Sequence, residues 1–181
     1  MQSILNMDSK GNSLLKKQKG ITLIELLITI VIIAVLVIIG IPSFVNYLQE
    51  NRLIGTTQNL YYTLQYARSE AVKRNTTMYV VFQTGSNWCY GINPGSSCSC
   101  STAGSCTLGS VSSNSAQPMS LSTSGLTSNT IQFEPLHGAS YISGTITYTL
   151  TGSSNAMSVK VNLLGSLQVC SNQISGYPTC S

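Results

Sequence analysis

Residues 21–41 read ITLIELLITIVIIAVLVIIGI, an aliphatic run broken by a single ionisable side chain, Glu25. As a helix with a rise of about 1.5 Å per residue, this run is roughly 30 Å long, the thickness of a bilayer core. Lys10, Lys16, Lys17, Lys19 and then Gly20 stand directly before it. Positive charge beside an apolar span holds that end in the cytoplasm, so the rest of the chain faces the periplasm or the outside. A secretory signal would have a shorter apolar region followed by a small-residue cleavage site, and neither feature is here. A plain anchor leaves Glu25 unexplained. A charge inside a span costs about 2.5–3.5 kcal/mol on insertion scales, and the run holds no Lys or Arg to pair with it. Cleavage between Gly20 and Ile21 would supply the partner: a new α-amino group, close to Glu25 in sequence or meeting the Glu25 of a neighbouring copy. Opposite charges brought together at low dielectric act as a registry device even where their net stabilisation is small.

Charge elsewhere is sparse. Without residues 1–20 the chain keeps five bases (Arg52, Arg68, Lys73, Arg74, Lys160) and four acids (Glu25, Glu50, Glu70, Glu134), a net of +1 in place of the +4 of the whole sequence. Residues 76–181 hold one acid, Glu134, and one base, Lys160, among many Ser, Thr, Gly and Asn. Binding nucleic acid through its phosphates takes several clustered Lys or Arg side chains. The one cluster, Arg68, Lys73 and Arg74, falls where a helix ends and complements its dipole.

All six cysteines, Cys89, Cys98, Cys100, Cys106, Cys170 and Cys180, lie beyond residue 88. An even count beyond an export signal reads as a disulfide framework. The rival reading makes Cys89, Cys98 and Cys100 soft metal ligands. Zinc sites usually show paired CxxC or added His at regular spacing, and the sole histidine, His137, is distant in sequence. Six cysteines allow 15 pairings. The simplest closes Cys170 to Cys180 as a C-terminal loop and pairs the other four among themselves.

Beyond Pro42 the helical pattern continues to about Arg74. Tyr47, Ile54 and Tyr61 recur every seven residues, and Leu60, Leu64, Ala67 and Ala71 follow at helical steps. This predicts an amphipathic helix with one face packed on its own head domain. Proline removes a backbone donor and clashes with the preceding turn, so a kink is expected at Pro42. From Thr76 the period changes to two. Residues 78–82, 130–133, 145–150, 157–163 and 166–170 read as strands, and the Ser-, Gly- and Cys-rich stretch 86–115 reads as irregular. The predicted fold is α+β: one long N-terminal helix, transmembrane in its first half, packed against a mainly antiparallel β-sheet. The expected segments are a leader (1–20), a transmembrane and assembly helix (21–42), its amphipathic continuation (43–75) and a disulfide-containing β head (76–181).

The Lys-rich leader ending in Gly20, followed by Ile21-Thr22-Leu23-Ile24-Glu25, resembles the prepilin signal of the type IV pilin and pseudopilin superfamily. The resemblance implies that a prepilin peptidase cuts after Gly20 on the cytoplasmic side. It implies that Ile21 becomes the N-methylated first residue, and that Glu25 pairs with the terminal amine of an adjacent subunit. Pro42 matches the position where helices of this superfamily bend or melt. The implied partners are other pilin subunits, the peptidase and an inner-membrane assembly platform. The implied location is the inner membrane, single-pass with the head in the periplasm, and then a pilus or pseudopilus.

In the head, Trp88-Cys89-Tyr90-Gly91, the Phe133 to Gly138 turn and Leu163-Leu164-Gly165 resemble minor pilins and pseudopilins of the GspH/FimT type. That group includes pilins that capture DNA through a G-R-x-R run. The matching place here, Gly165-Ser166-Leu167-Gln168, has neither arginine, and a neutral turn cannot pair with phosphate. The expectation is a structural or priming subunit of a type IV pilus, with a type II secretion pseudopilin or a DNA-capturing pilin as the alternatives.

Enzymatic readings find little in the sequence. His137 stands beside Pro135 and Gly138 in a turn, and Glu134 with His137 is more simply a solvated turn pair than an acid–base couple. No cofactor or metal is expected, because no phosphate loop, metal cluster or acidic calcium loop is visible.

Overall fold

In the computed structural model a single helix, α1, spans Leu23–Arg74. The structure describes residues 20–113 and 118–180, without the side chains of residues 39, 40, 42 and 43. The leader up to residue 19, with Lys10, Lys16, Lys17 and Lys19, lies outside the described residues. The helix stops at Asn75, which takes the left-handed conformation with φ 48°. The Thr76 N–H then reaches back to the Ala71 carbonyl at 3.1 Å, which satisfies one of the helix's last acceptors. The helical span includes Pro42, where the sequence places a kink. Two compact units, Met1–Ser43 and Phe44–Ser181, divide one residue beyond it.

Within the second unit the strands form two four-stranded sheets, where the sequence reading expected one. The first contains β1 (Met78–Gln83), β2 (Cys89–Pro94), β3 (Ser110–Ser112) and β5 (Thr130–Phe133), in the order β3-β2-β1-β5. The second contains β4 (Met119–Ser124), β6 (Gly144–Leu150), β7 (Ala156–Val161) and β8 (Leu167–Cys170), in the order β4-β6-β7-β8. All neighbouring strands are antiparallel. An isolated bridge from Gly85 to Leu121 ties the end of β1 to β4.

Period-two alternation explains the core. Val80 and Phe82, Ile131 and Phe133, Ile146 and Tyr148, and Met157 and Val159 all point inward and are buried. Against them α1 presents Leu53, Leu60, Leu64, Ala67 and Ala71, none of which has measurable exposure. The seven-residue series of Tyr47, Ile54 and Tyr61 does not mark this face. Tyr47 is 63% exposed, and Ile54 and Tyr61 only border the core. The helix meets the sheets from Leu53 onward, so an aromatic one and a half turns earlier has nothing to pack on.

The stretch expected to be irregular, 86–115, in fact contains β2 and β3. β2 reads CYGINP, with Gly and Pro that suggest a turn, yet five of its six residues are buried. Its inner face carries Tyr90 and Ile92 into the main core, and its outer face joins a second small cluster of Val81, Cys89, Cys100 and Cys106.

Candidate processing and assembly site

The segment singled out by the sequence begins in open coil. Gly20, Ile21 and Thr22 precede the helix and are exposed, and among the described residues no atom beyond the chain neighbours lies within 4 Å of where a Gly20 side chain would be. A peptide bond in exposed, non-helical backbone is the form that a peptidase can draw into its site. Thr22 then starts the helix. Its hydroxyl accepts the Glu25 backbone N–H at 3.3 Å and its carbonyl accepts the Leu26 N–H at 3.1 Å. Thr22-Leu23-Ile24-Glu25 thus has the S/T-x-x-E form of a capping box, with Glu25 at the positive end of the helix dipole. The sequence reading missed this local role of Glu25, although the spacing from Thr22 carried the signal.

Past the cap, the aliphatic side chains are left uncovered by the other described residues. Leu23 is 81% exposed, and every Leu, Ile and Val from residue 23 to residue 38 is about half exposed or more. A helix that is apolar all round has its partners elsewhere, in lipid or in other chains. Among the described residues no helix is long and apolar enough to cross a membrane. The apolar helical stretch with described side chains, 23–38, is shorter than the twenty or so residues that a bilayer core requires.

The remaining sequence candidates lie in the head. Cys170 is bridged to Cys180, Cys89 to Cys100 and Cys98 to Cys106. The last two bridges interlace over the outer face of β1 and β2. Gly91 is required there, because a Cβ would collide with Cys106 Sγ. Each bridge closes a loop of about ten residues, worth about 2.5–3 kcal/mol in the chain-entropy account. Trp88 stacks on Tyr90, with ring centroids 6.2 Å apart, and meets Tyr148 edge-on at 5.0 Å. The Trp-Cys-Tyr-Gly element therefore has an inner face that fills the core and an outer face that carries the cystines.

The other family-like glycine turns join two loops to α1. The Arg68 Nε–H donates to the Gly138 carbonyl at 3.0 Å, and the Ser140 N–H to the Leu163 carbonyl at 3.2 Å. Gly165 takes φ 74° and lies so close to the Gly138 carbonyl that any side chain would strike it.

None of these groups forms a catalytic arrangement. Lys73 and Arg74 both contact Glu70, whose side chain is only 5% exposed, and Arg74 followed by Lys73 holds its carboxyl below the usual range. The basic trio is thus engaged within the head. His137 Nδ1 lies 3.2 Å from Glu134 Oε1 with the ring largely in solvent, a turn pair. Ser166 and Gln168, at the place of the missing arginines, line a polar groove of about 410 Å³ with Lys160 as its one base.

Comparison with known proteins agrees with this geometry. The family described as "Type II transport protein GspH" matches residues 56–165, and the "Prokaryotic N-terminal methylation motif" matches residues 15–41. The chain is 52% identical over 42 residues to "Prepilin peptidase-dependent protein D" of Escherichia coli (strain K12). That match covers 23% of this chain and 29% of the relative, so it spans under a third of the relative's length. The crystal structure of the type IV minor pilin FimU of Pseudomonas aeruginosa (strain PAO1) superposes with a TM-score of 0.53 at 18% identity. It covers 68% of this chain and 94% of that one, a likeness of fold.

Proposed function

The chain belongs to the GspH family of pilin-like proteins, and from that premise we propose that it is a structural minor-pilin subunit, trimmed after Gly20 and built into a type IV filament. The observation that carries this reading is the capped, all-round apolar helix directly behind an exposed Gly20–Ile21 bond. In this reading residues 21–41 rest in the inner membrane before assembly, with the N-terminus in the cytoplasm and the head in the periplasm. Ile21 carries the methylated terminal amine. Glu25 serves twice: it favours the helix start through the dipole, and it pairs with the terminal amine of a neighbouring subunit as both leave lipid.

One observation favours a second reading. The matching family is described as a type II transport protein, which supports a pseudopilin of a secretion system built by the same helix chemistry. Deleting the gene separates the two: loss of surface filaments supports the pilus subunit, and loss of protein export with filaments intact supports the pseudopilin. DNA capture has little support, because the Gly165–Gln168 turn is neutral and Arg68, Lys73 and Arg74 are engaged within the head. The test of processing is the mass of the mature protein. The proposal expects residues 21–181 plus one methyl group, and an intact leader in filament-borne protein would overturn it.

A further inference from the structure

The bridges Cys89–Cys100 and Cys98–Cys106 form one chemical site. Ser99 alone separates Cys98 from Cys100. All four cysteines pack with Val81 in one small cluster on the outer face of β1 and β2. Cys106 Sγ and Cys100 Cβ both come within contact distance of where a Gly91 Cβ would stand, so the two bridges meet over a single glycine. The third bridge, Cys170–Cys180, does not belong to this cluster.

Access differs among the four. Cys89, Cys100 and Cys106 are buried, whereas Cys98 is only partly so. A groove of about 460 Å³ opens onto this side of the cluster. It is lined by Cys98 and Cys100, with Ser97, Ser99, Asn129 and Thr130 among others, and not by the bridge partners Cys106 and Cys89. None of its lining residues is charged, and its hydroxyls and amides can hydrogen-bond a peptide backbone.

Disulfide exchange needs a thiolate, a sulfur it can reach, and a leaving sulfur that takes the displaced electron pair. We infer that Cys98 is where the catalytic thiolate of a thiol–disulfide isomerase enters the folded head, and that the four sulfurs then exchange as a closed relay. The incoming thiolate bonds to Cys98 Sγ; the Cys98–Cys106 bond breaks and its electron pair leaves on Cys106 Sγ. That thiolate attacks Cys100 Sγ across the Gly91 contact, which breaks Cys89–Cys100 and leaves the pair on Cys89 Sγ. Cys89 then attacks the mixed disulfide at Cys98 and expels the isomerase thiolate unchanged. The products are Cys89–Cys98 and Cys100–Cys106, with no electron gained or lost, and the same steps in reverse restore the native pairing. A thiolate displaced into apolar surroundings is disfavoured, so a second bridge in contact is what lets the first one open. The entering group is a low-pKa cysteine, because an ordinary thiol is mostly protonated at neutral pH. Cys180 is also only partly buried, but its bridge lies outside the cluster, and a thiolate displaced onto Cys170 can only return. The inference concerns the head alone and does not depend on its being built into a filament.

The experiment mixes the full-length, fully oxidised protein with a thioredoxin whose resolving cysteine is replaced by serine, standing in for the isomerase. The head is kept folded, as followed by circular dichroism, and the mixture is quenched with N-ethylmaleimide in acid denaturant and digested with pepsin. Peptide mass spectrometry should find thioredoxin on Cys98 at about ten times the level on Cys180 or more, since access selects the sulfur attacked. It should find maleimide on both Cys106 and Cys89, the two stations of the relay. Thioredoxin first on Cys180 or Cys170, or on no cysteine until the head unfolds, would overturn Cys98 as the point of entry. Maleimide on Cys106 with none on Cys89 would overturn the relay.

Discussion

Between residues 23 and 38 every leucine and isoleucine of α1 is about half exposed or more, whereas from Leu53 to Ala71 the leucines and alanines of one face are wholly buried. The same helix, with much the same side chains, is thus complete in one region and unfinished in the other. The head supplies its own partners through two sheets, three cystines and a continuous core. The N-terminal segment supplies only a start signal and a carboxylate, and it leaves its apolar surface for other molecules. Mutations should therefore divide cleanly. Changes in residues 20–38 should alter processing and assembly and spare head stability, and changes in the head should do the reverse.

The largest expected effect is at Gly20. Gly20→Val should leave the leader attached and abolish incorporation altogether, while the melting temperature of the head stays where it was. The mass of the accumulated protein reads this out directly. Glu25→Val is next: cleavage proceeds, and incorporation falls about tenfold or more, because removing one partner of a desolvated ion pair costs several kcal/mol. Normal incorporation of the Glu25→Val protein would reduce Glu25 to an acid that favours the helix start through the dipole.

A matched pair of leucines tests the comparison itself. Leu64→Ala should destabilise the head by about 2–5 kcal/mol, the cost of a core cavity. Leu27→Ala, on the exposed segment, should leave thermal unfolding of the head unchanged. Replacing Cys170 and Cys180 together by serine should cost about 2.5–3 kcal/mol, and thiol titration of the denatured, unreduced native protein should find no free thiol. The smallest effect belongs to Glu70. Its carboxyl titrates below the usual 4.5 through its bonds to Arg74 and Lys73. A lowered folded-state value means that the stabilisation is fully present above pH 4.5 and disappears as pH falls through that lowered value. The stability gap between native protein and Glu70→Gln should therefore close on acidification from pH 7 to pH 3, followed by chemical denaturation.

Much of this division is legible in the sequence. A run of apolar residues with one carboxylate leaves few physical solutions, and five of the eight strands have either clear alternation or β-branched density. What stayed hidden has a common physical cause. β2 is buried on both faces, so its pattern does not alternate, and its Gly and Pro read as turn residues until Cys106 is seen lying over Gly91. β3 is only three residues long, and β4 buries Met119 and Leu121 from a serine-rich background. The helix face was misjudged at Tyr47, because periodicity tells which residues align but not where along the helix the sheet begins. The cap at Thr22 is a single hydroxyl at the edge of a long apolar run, a local signal that the cost of Glu25 in a membrane outweighs.

The interlaced bridges have one further consequence. Cys98 and Cys100 are separated by Ser99 alone, and their partners Cys89 and Cys106 lie at either end of the same loop. Exchanging partners, Cys89 with Cys98 and Cys100 with Cys106, would close loops of similar length at similar entropic cost. Chain statistics therefore barely distinguish the right isomer from the wrong one. Selection falls to packing: the native arrangement sets Cys100 and Cys106 over Gly91 and beside Val81. Oxidation ahead of sheet formation would trap a mixture, so a folding compartment that reshuffles disulfides as well as making them is part of what this sequence requires.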